Sequence, residues 1–152
     1  MATTRQALGD RGEKIVAQTQ SCPRCKQPRG TLKQLRQNFK CADVICDFCG
    51  FLAQVKTTTV KSEDLVLPRS ILGAAWGPQK ERMDAGIYIS LYLVAVRAAN
   101  AKQVAIYFLP AELQTASMFE ERAPLSETAR RAGWQGYTLN ISAALGPPVR
   151  VS

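Results

Sequence analysis

Histidine does not occur anywhere in the 152 residues. That absence removes Ser-His-Asp and Cys-His hydrolysis. It also removes histidine-containing zinc hydrolase sites, two-His-carboxylate iron sites and nucleases with a histidine base. Any hydrolysis must use carboxylates, lysine and a metal, or a cysteine or serine without its usual partner. Long apolar runs are missing too. None reaches the ~18 residues of a membrane span, and the longest, Gly86–Val96, reads as a buried central strand. Residues 1–20 lack the apolar centre of a signal peptide, so a cytoplasmic location without a membrane partner is expected.

Basic residues, by contrast, are in excess: 20 Lys and Arg against 12 Asp and Glu, a net charge of +8. Polyanions are the natural partners of such a surface, although charge alone fits a merely basic soluble protein equally well. The length suits one domain, residues 1–152, with a full hydrophobic core.

Cysteine is sparse, but four of the five residues are patterned. Cys22, Cys25, Cys46 and Cys49 form two C-x-x-C pairs twenty residues apart. Two such turns can present four thiolates to one ion at about 2.3 Å, so zinc is expected here before iron, in a structural role. Disulfides do not suit a cytosolic chain. A dithiol redox motif would place one pair at a helix start, not two pairs at tight turns shaped by Pro23 and Gly50. The odd Cys41 reads as a small buried apolar residue.

The stretch K-C-A-D-V-I-C-D-F-C-G-F-L-A-Q-V-K, residues 40–56, organises the rest. Lys40–Cys46 reads as one strand and Phe51–Val60 as the next. Side chains two apart share a face. Cys41, Asp43 and Ile45 point one way, as do Leu52, Gln54, Lys56 and Thr58. Paired as a hairpin, the strands bring Asp43 beside Gln54 and Lys56. A carboxylate, an amide carbonyl and an ammonium on one patch suit a hard divalent cation with water beside it. A bound zinc would hold this corner in register.

A first helix is expected over Thr3–Thr19, with Leu8, Gly12, Ile15, Val16 and Thr19 on one stripe. Glu13 lies at the edge of that stripe; it is a solvated helix charge unless it faces Asp43. Lys61–Pro78 reads as a connection in which Trp76 either covers the core edge or stacks on a base. Gln79–Met83 carries Lys80 and Arg82, as phosphate contacts or as a solvated turn. Gly86–Val96 and Gln103–Leu109 are core strands of one sheet, Pro110–Met118 a short helix and Thr138–Ile141 a last strand. Pro124–Tyr137 combines Arg130, Arg131 and Trp134 with two glycines. The residues alone favour a capped helix whose Trp plugs the core; the other reading sets guanidinium groups on phosphates.

Together these stretches resemble a known family. G-D-R-G-E-K-I-V-A is similar to the first helix of PD-(D/E)XK nucleases, and A-D…Q-V-K to their D…(D/E)-X-K core. The tighter resemblance is to the DpnI-like, or Dam-replacing, restriction endonucleases. It rests on C-P-R-C…A-D-V-I-C-D-F-C and on P-L-S-E-T-A-R-R-A-G-W-Q-G. It implies a three-layer α/β fold with a central mixed sheet and a four-cysteine zinc insertion at about 20–50. It implies an active site of Asp43, Gln54 and Lys56 assisted by Glu13, with Mg²⁺ or Mn²⁺ held by Asp43, Gln54 and the Val55 carbonyl. It makes double-stranded DNA the substrate, adenine-methylated DNA being one candidate form. It also turns Arg130, Arg131 and Trp134 into expected DNA contacts, beside Lys80 and Arg82. Gln54 stands where the motif usually has a second acid, and its carbonyl can still coordinate magnesium. Relatives of this type continue into a winged-helix reader. None is expected here, so sequence-specific binding is expected to be weak, or supplied by a homodimer or by a separate subunit. The alternative function is a zinc-containing DNA-binding module without catalysis, and a further one is a zinc-stabilised protein-interaction domain.

Overall fold

A computed structural model describes residues 4–36, 39, 41–129 and 134–152. Helix α1 (Thr4–Thr19) forms as its spacing predicts and buries Gly12 and Val16. Six strands build the main sheet: β1 (Leu32–Gln34), β2 (Val44–Cys46), β3 (Leu52–Val60), β5 (Ser90–Arg97), β6 (Val104–Leu109) and β9 (Val149–Arg150). They lie in the order β1-β2-β3-β5-β6-β9. β3 and β5 run parallel, and every other pair in this sheet is antiparallel. Parallel neighbours need a crossover, and here it is made by β4 (Ser70–Gly73) and helix α2 (Trp76–Asp84). A second sheet, of order β4-β8-β7, adds β7 (Phe119–Glu121) and β8 (Tyr137–Asn140).

The result is an α/β fold in three layers. On one face of the main sheet Val16, from α1, packs with Val44, Ala53, Val55, Tyr92 and Val94. On the other, Leu91 and Leu93 pack against Ile71, Phe119, Tyr137 and Leu139 of the small sheet, joined by Trp76 and Met83 of α2. α1 comes unusually close to the sheet. A Cβ built on Gly12 would lie 1.8 Å from Thr57 Oγ1, so only glycine fits that position without displacement.

Several expectations need correction. The strand expected over Lys40–Cys46 is confined to Val44–Cys46, although hydrogen bonds from Asp43 N–H to the Ala53 carbonyl and from Leu35 N–H to the Asp43 carbonyl carry the ladder onward. The connection expected over Lys61–Pro78 contains β4 and the start of α2, and Gln79–Met83 is helix rather than turn. The central strand begins at Ser90, not Gly86. Pro110–Met118 holds two short 3-10 turns in place of one helix. Cys41 is half-buried, not buried. Among the described residues of 124–137 there is no helix. No helix among the described residues is long and apolar enough to cross a membrane.

Candidate active site and metal centre

Two tight knuckles carry the four patterned cysteines. In each, the residue after the second cysteine turns into the left-handed region: Lys26 at φ 53° and Gly50 at φ 82°. Each also donates its backbone N–H back to the first cysteine's carbonyl, Lys26 to Cys22 at 3.1 Å and Gly50 to Cys46 at 2.8 Å. The pairing of β1 with β2 sets Leu32 opposite Cys46 and so brings the knuckles together. Cys22 Sγ lies 3.6 Å from Cys49 Sγ, and Cys25 Sγ lies 3.8 Å from Cys46 Sγ. Four sulfurs at about 2.3 Å from one tetrahedral centre would stand about 3.8 Å apart, whereas a disulfide brings them to about 2.05 Å. All four sulfurs lie within 4.8 Å of one another, and among the described residues no other group of three or more metal-ligating side chains does so. The cysteines therefore form a cluster that could hold a metal ion, and its donors and dimensions are consistent with zinc.

The surroundings act on the thiols in opposite directions. Burial pushes the Cys22 thiol up to about 12, against backbone N–H groups from Cys25 and Arg24. At Cys46 burial is outweighed by the Thr31 hydroxyl, 3.1 Å away, and by the backbone N–H groups of Cys49 and Phe48, which hold it down to about 6. Thr31 is a supporting residue that no sequence pattern marked.

Beyond this corner the β2–β3 register does what the alternation implies. Val44 pairs with Ala53 and Ile45 with Leu52, so Asp43 falls beside Gln54. The Asp43 carboxylate (Oδ2) accepts the Val55 backbone N–H at 2.7 Å. The N–H and C=O of one strand residue point to the same neighbour, so the Val55 carbonyl also opens towards Asp43. Gln54 Nε2 donates to the Cys41 carbonyl at 3.2 Å. This fixes the amide's orientation and leaves Oε1 as the atom with lone pairs to offer.

Gln54 and Lys56 register with Leu91 and Leu93 of β5 and share their face. The Lys56 ammonium lies over the Tyr137 ring, 5.5 Å from its centroid, an arrangement that attracts a cation electrostatically. Tyr137 is itself buried, pressed against Gly73, where a Cβ would meet its ring at 2.2 Å. Local sequence gave no sign of this partner, because Tyr137 arrives from the second sheet.

Glu13 is half-buried on α1. Burial first, then the charges of Asp43 and Asp10, push its carboxyl up to about 7, opposed by a hydrogen bond from Gln34 and by the charge of Lys56. Gln34 also donates to Asp10 Oδ1 at 2.8 Å, so it links β1 to two carboxylates of α1; the sequence reading passed it over. Glu13 is thus close enough to Asp43 and Lys56 to feel both charges, and is not a fully solvated helix charge.

The other expected contacts are scattered. Lys80 pairs with Asp84 one turn along α2 at 2.7 Å, and Arg82 donates to Gln79 Oε1 at 3.2 Å. Trp76 starts α2 and lies 6.1 Å from Tyr137, ring to ring, so it covers the core edge. Trp134 is half-buried, stacked where a Cβ on Gly136 would approach its ring at 3.3 Å. Arg130 and Arg131 lie outside the described residues.

Fold and site define a mixed-sheet α/β protein with four cysteines clustered within metal-binding distance and a polar cluster beside them. The model of the Dam-replacing family, DpnI, matches residues 5–146, and the chain belongs to that family. Membership suggests a restriction-type nuclease, with DNA as its substrate. No curated protein matches the chain.

Proposed function

We propose that the protein is a metal-dependent DNA endonuclease of restriction type, with Asp43, Gln54, Lys56 and Glu13 as its active site. The observation that carries the reading is the β2–β3 register, with Asp43 bound to the Val55 N–H and beside Gln54. One carboxylate, one amide oxygen and one backbone carbonyl make an all-oxygen donor set, which suits Mg²⁺ or Mn²⁺ and not a soft ion. Asp43, Gln54 Oε1 and the Val55 carbonyl would hold that ion, with Glu13 contributing directly or through water. When bound, it supplies Lewis acidity at the scissile phosphate and lowers the pKa of a water.

The remaining work falls to the chain. Lys56, anchored over Tyr137, orients the attacking water or stabilises charge developing on the phosphoryl oxygens. Cys22, Cys25, Cys46 and Cys49 would hold a zinc ion with four thiolates and leave it no open position, so it would hold the corner rather than activate water. Lys80, Arg82, Arg130, Arg131 and Trp134 remain proposed DNA contacts, and adenine-methylated DNA a proposed substrate.

Digestion of paired methylated and unmethylated plasmids, with Mg²⁺ and then Mn²⁺, tests the reading. Nicking or cutting is expected, and is expected to vanish in a zinc-loaded, folded Lys56→Ala variant. Salt-dependent DNA binding without cleavage of either plasmid would refute it in favour of a zinc-containing binding module. Absence of such binding would leave a protein-interaction domain.

A further inference from the structure

Half of the chain's net charge is concentrated around its metal. Residues 20–50 hold six Lys and Arg against two Asp and Glu, a net +4 of the total +8. Arg24, Lys26, Arg29, Lys33 and Arg36 are all exposed. The ion pairs found among the described residues join Lys14, Lys80 and Arg97 to carboxylates and involve none of these five. The Lys33 ammonium donates to the Gly30 carbonyl at 3.4 Å, its own near neighbour in the chain.

The sheet register fixes where Lys33 projects. Lys33 pairs with Ile45, and Ile45 with Leu52. Directly paired residues share a face, as do residues two apart on one strand. Lys33 therefore emerges on the same side as Gln54 and Lys56. Two strand spacings and two residues of rise separate the Cα atoms of Lys33 and Gln54 by about 12 Å. That is the axial rise of roughly three to four steps along one DNA strand.

We propose that the zinc lobe is a duplex-binding surface continuous with the candidate active site, in which Lys33 holds a backbone phosphate a few nucleotides from the scissile bond. The inference rests on the reading that DNA is the ligand, but not on cleavage. A lysine in the middle of an edge strand also discourages edge-to-edge pairing. That role would leave DNA affinity untouched, so binding separates the two.

Anisotropy of a labelled duplex, with Ca²⁺ replacing Mg²⁺ and salt varied from about 50 to 200 mM, gives the slope of log Kobs against log salt. Lys33→Ala is expected to lower that slope by about 0.9, one phosphate contact. Lys33→Arg should keep it. Lys102→Ala, in the exposed turn at the opposite end of the sheet, should also keep it. Zinc content reports the fold, and should Lys33→Ala lose its metal, Lys33→Gln serves in its place. A wild-type slope in the folded variant overturns the inference, as does wild-type binding with no salt dependence. A protein that binds steeply yet cuts no plasmid sinks the nuclease reading and leaves this surface standing.

Discussion

Replacing Gly12 by alanine tests how the helix layer sets the site. The new Cβ would start 1.8 Å from Thr57 Oγ1, 3.0 Å from Thr57 Cβ and 3.3 Å from Cγ2. Rotating the threonine exchanges one close contact for another, so α1 must withdraw or β3 must yield. Overpacking of this kind costs about 1–3 kcal/mol. Alanine recovers about 1 kcal/mol of helix propensity at an interior position. The net expectation is a destabilisation of up to about 2 kcal/mol, or a few degrees in Tm at about 2–4 °C per kcal/mol. Thr57→Ala alone should be close to neutral, since its hydroxyl is a buried atom without a hydrogen-bond partner and no bond is lost with it. In that background Gly12→Ala should become neutral or stabilising. Urea denaturation of the four proteins gives the coupling directly, expected at about 1–2 kcal/mol. A Gly12→Ala change with the same effect on stability with and without the Thr57 side chain would refute the close-contact argument.

Two further outcomes follow from the same geometry. The protein should bind one zinc per chain; Cys46→Ser should reduce metal content and lower Tm, measured by metal analysis and a thermal melt, because the closed thiolate set ties the two knuckles together. Glu13 keeps its proton to about pH 7 in the native state against 4.5 for the free side chain. Between those values the unfolded chain has lost a proton that the folded chain holds, so stability without added magnesium should fall as pH rises from 4.5 to 7. Denaturant midpoints across that window should flatten in Glu13→Gln, and an unchanged slope would count against the burial of this carboxyl.

What sequence could and could not reveal divides by range. The α1 stripe, the C-x-x-C knuckles and the alternation through Asp43, Gln54 and Lys56 are local patterns, and each sets geometry within a few residues. The strands that went unseen are short: β1, β4, β7 and β9 have three, four, three and two residues. Two to four residues barely display a period. α2 was hidden for another reason. It opens from Ala75 at φ 58° with no side-chain cap, and continues through Gly77 and Pro78, chemistry that reads as a turn. Burial of Gln79 and packing of Trp76 and Met83 override it. Tyr137 under Lys56 and Gln34 beside Glu13 are meetings between distant segments, visible only once the layers are assembled.

The paired knuckles also bear on how this protein can change over time. Cys22 and Cys25 precede β1, while Cys46 ends β2 and Cys49 follows it. The chain from 35 to 43 therefore runs between two strands whose outer ends are fastened together elsewhere. Alignment of the strands is inherited from the fastening and not from the length of that span. Residues can be gained or lost between Leu35, whose N–H holds the Asp43 carbonyl, and Cys41, whose carbonyl holds the Gln54 amide, while Asp43 stays opposite Gln54, which makes the stretch between those two anchors the natural place for variation beside the site.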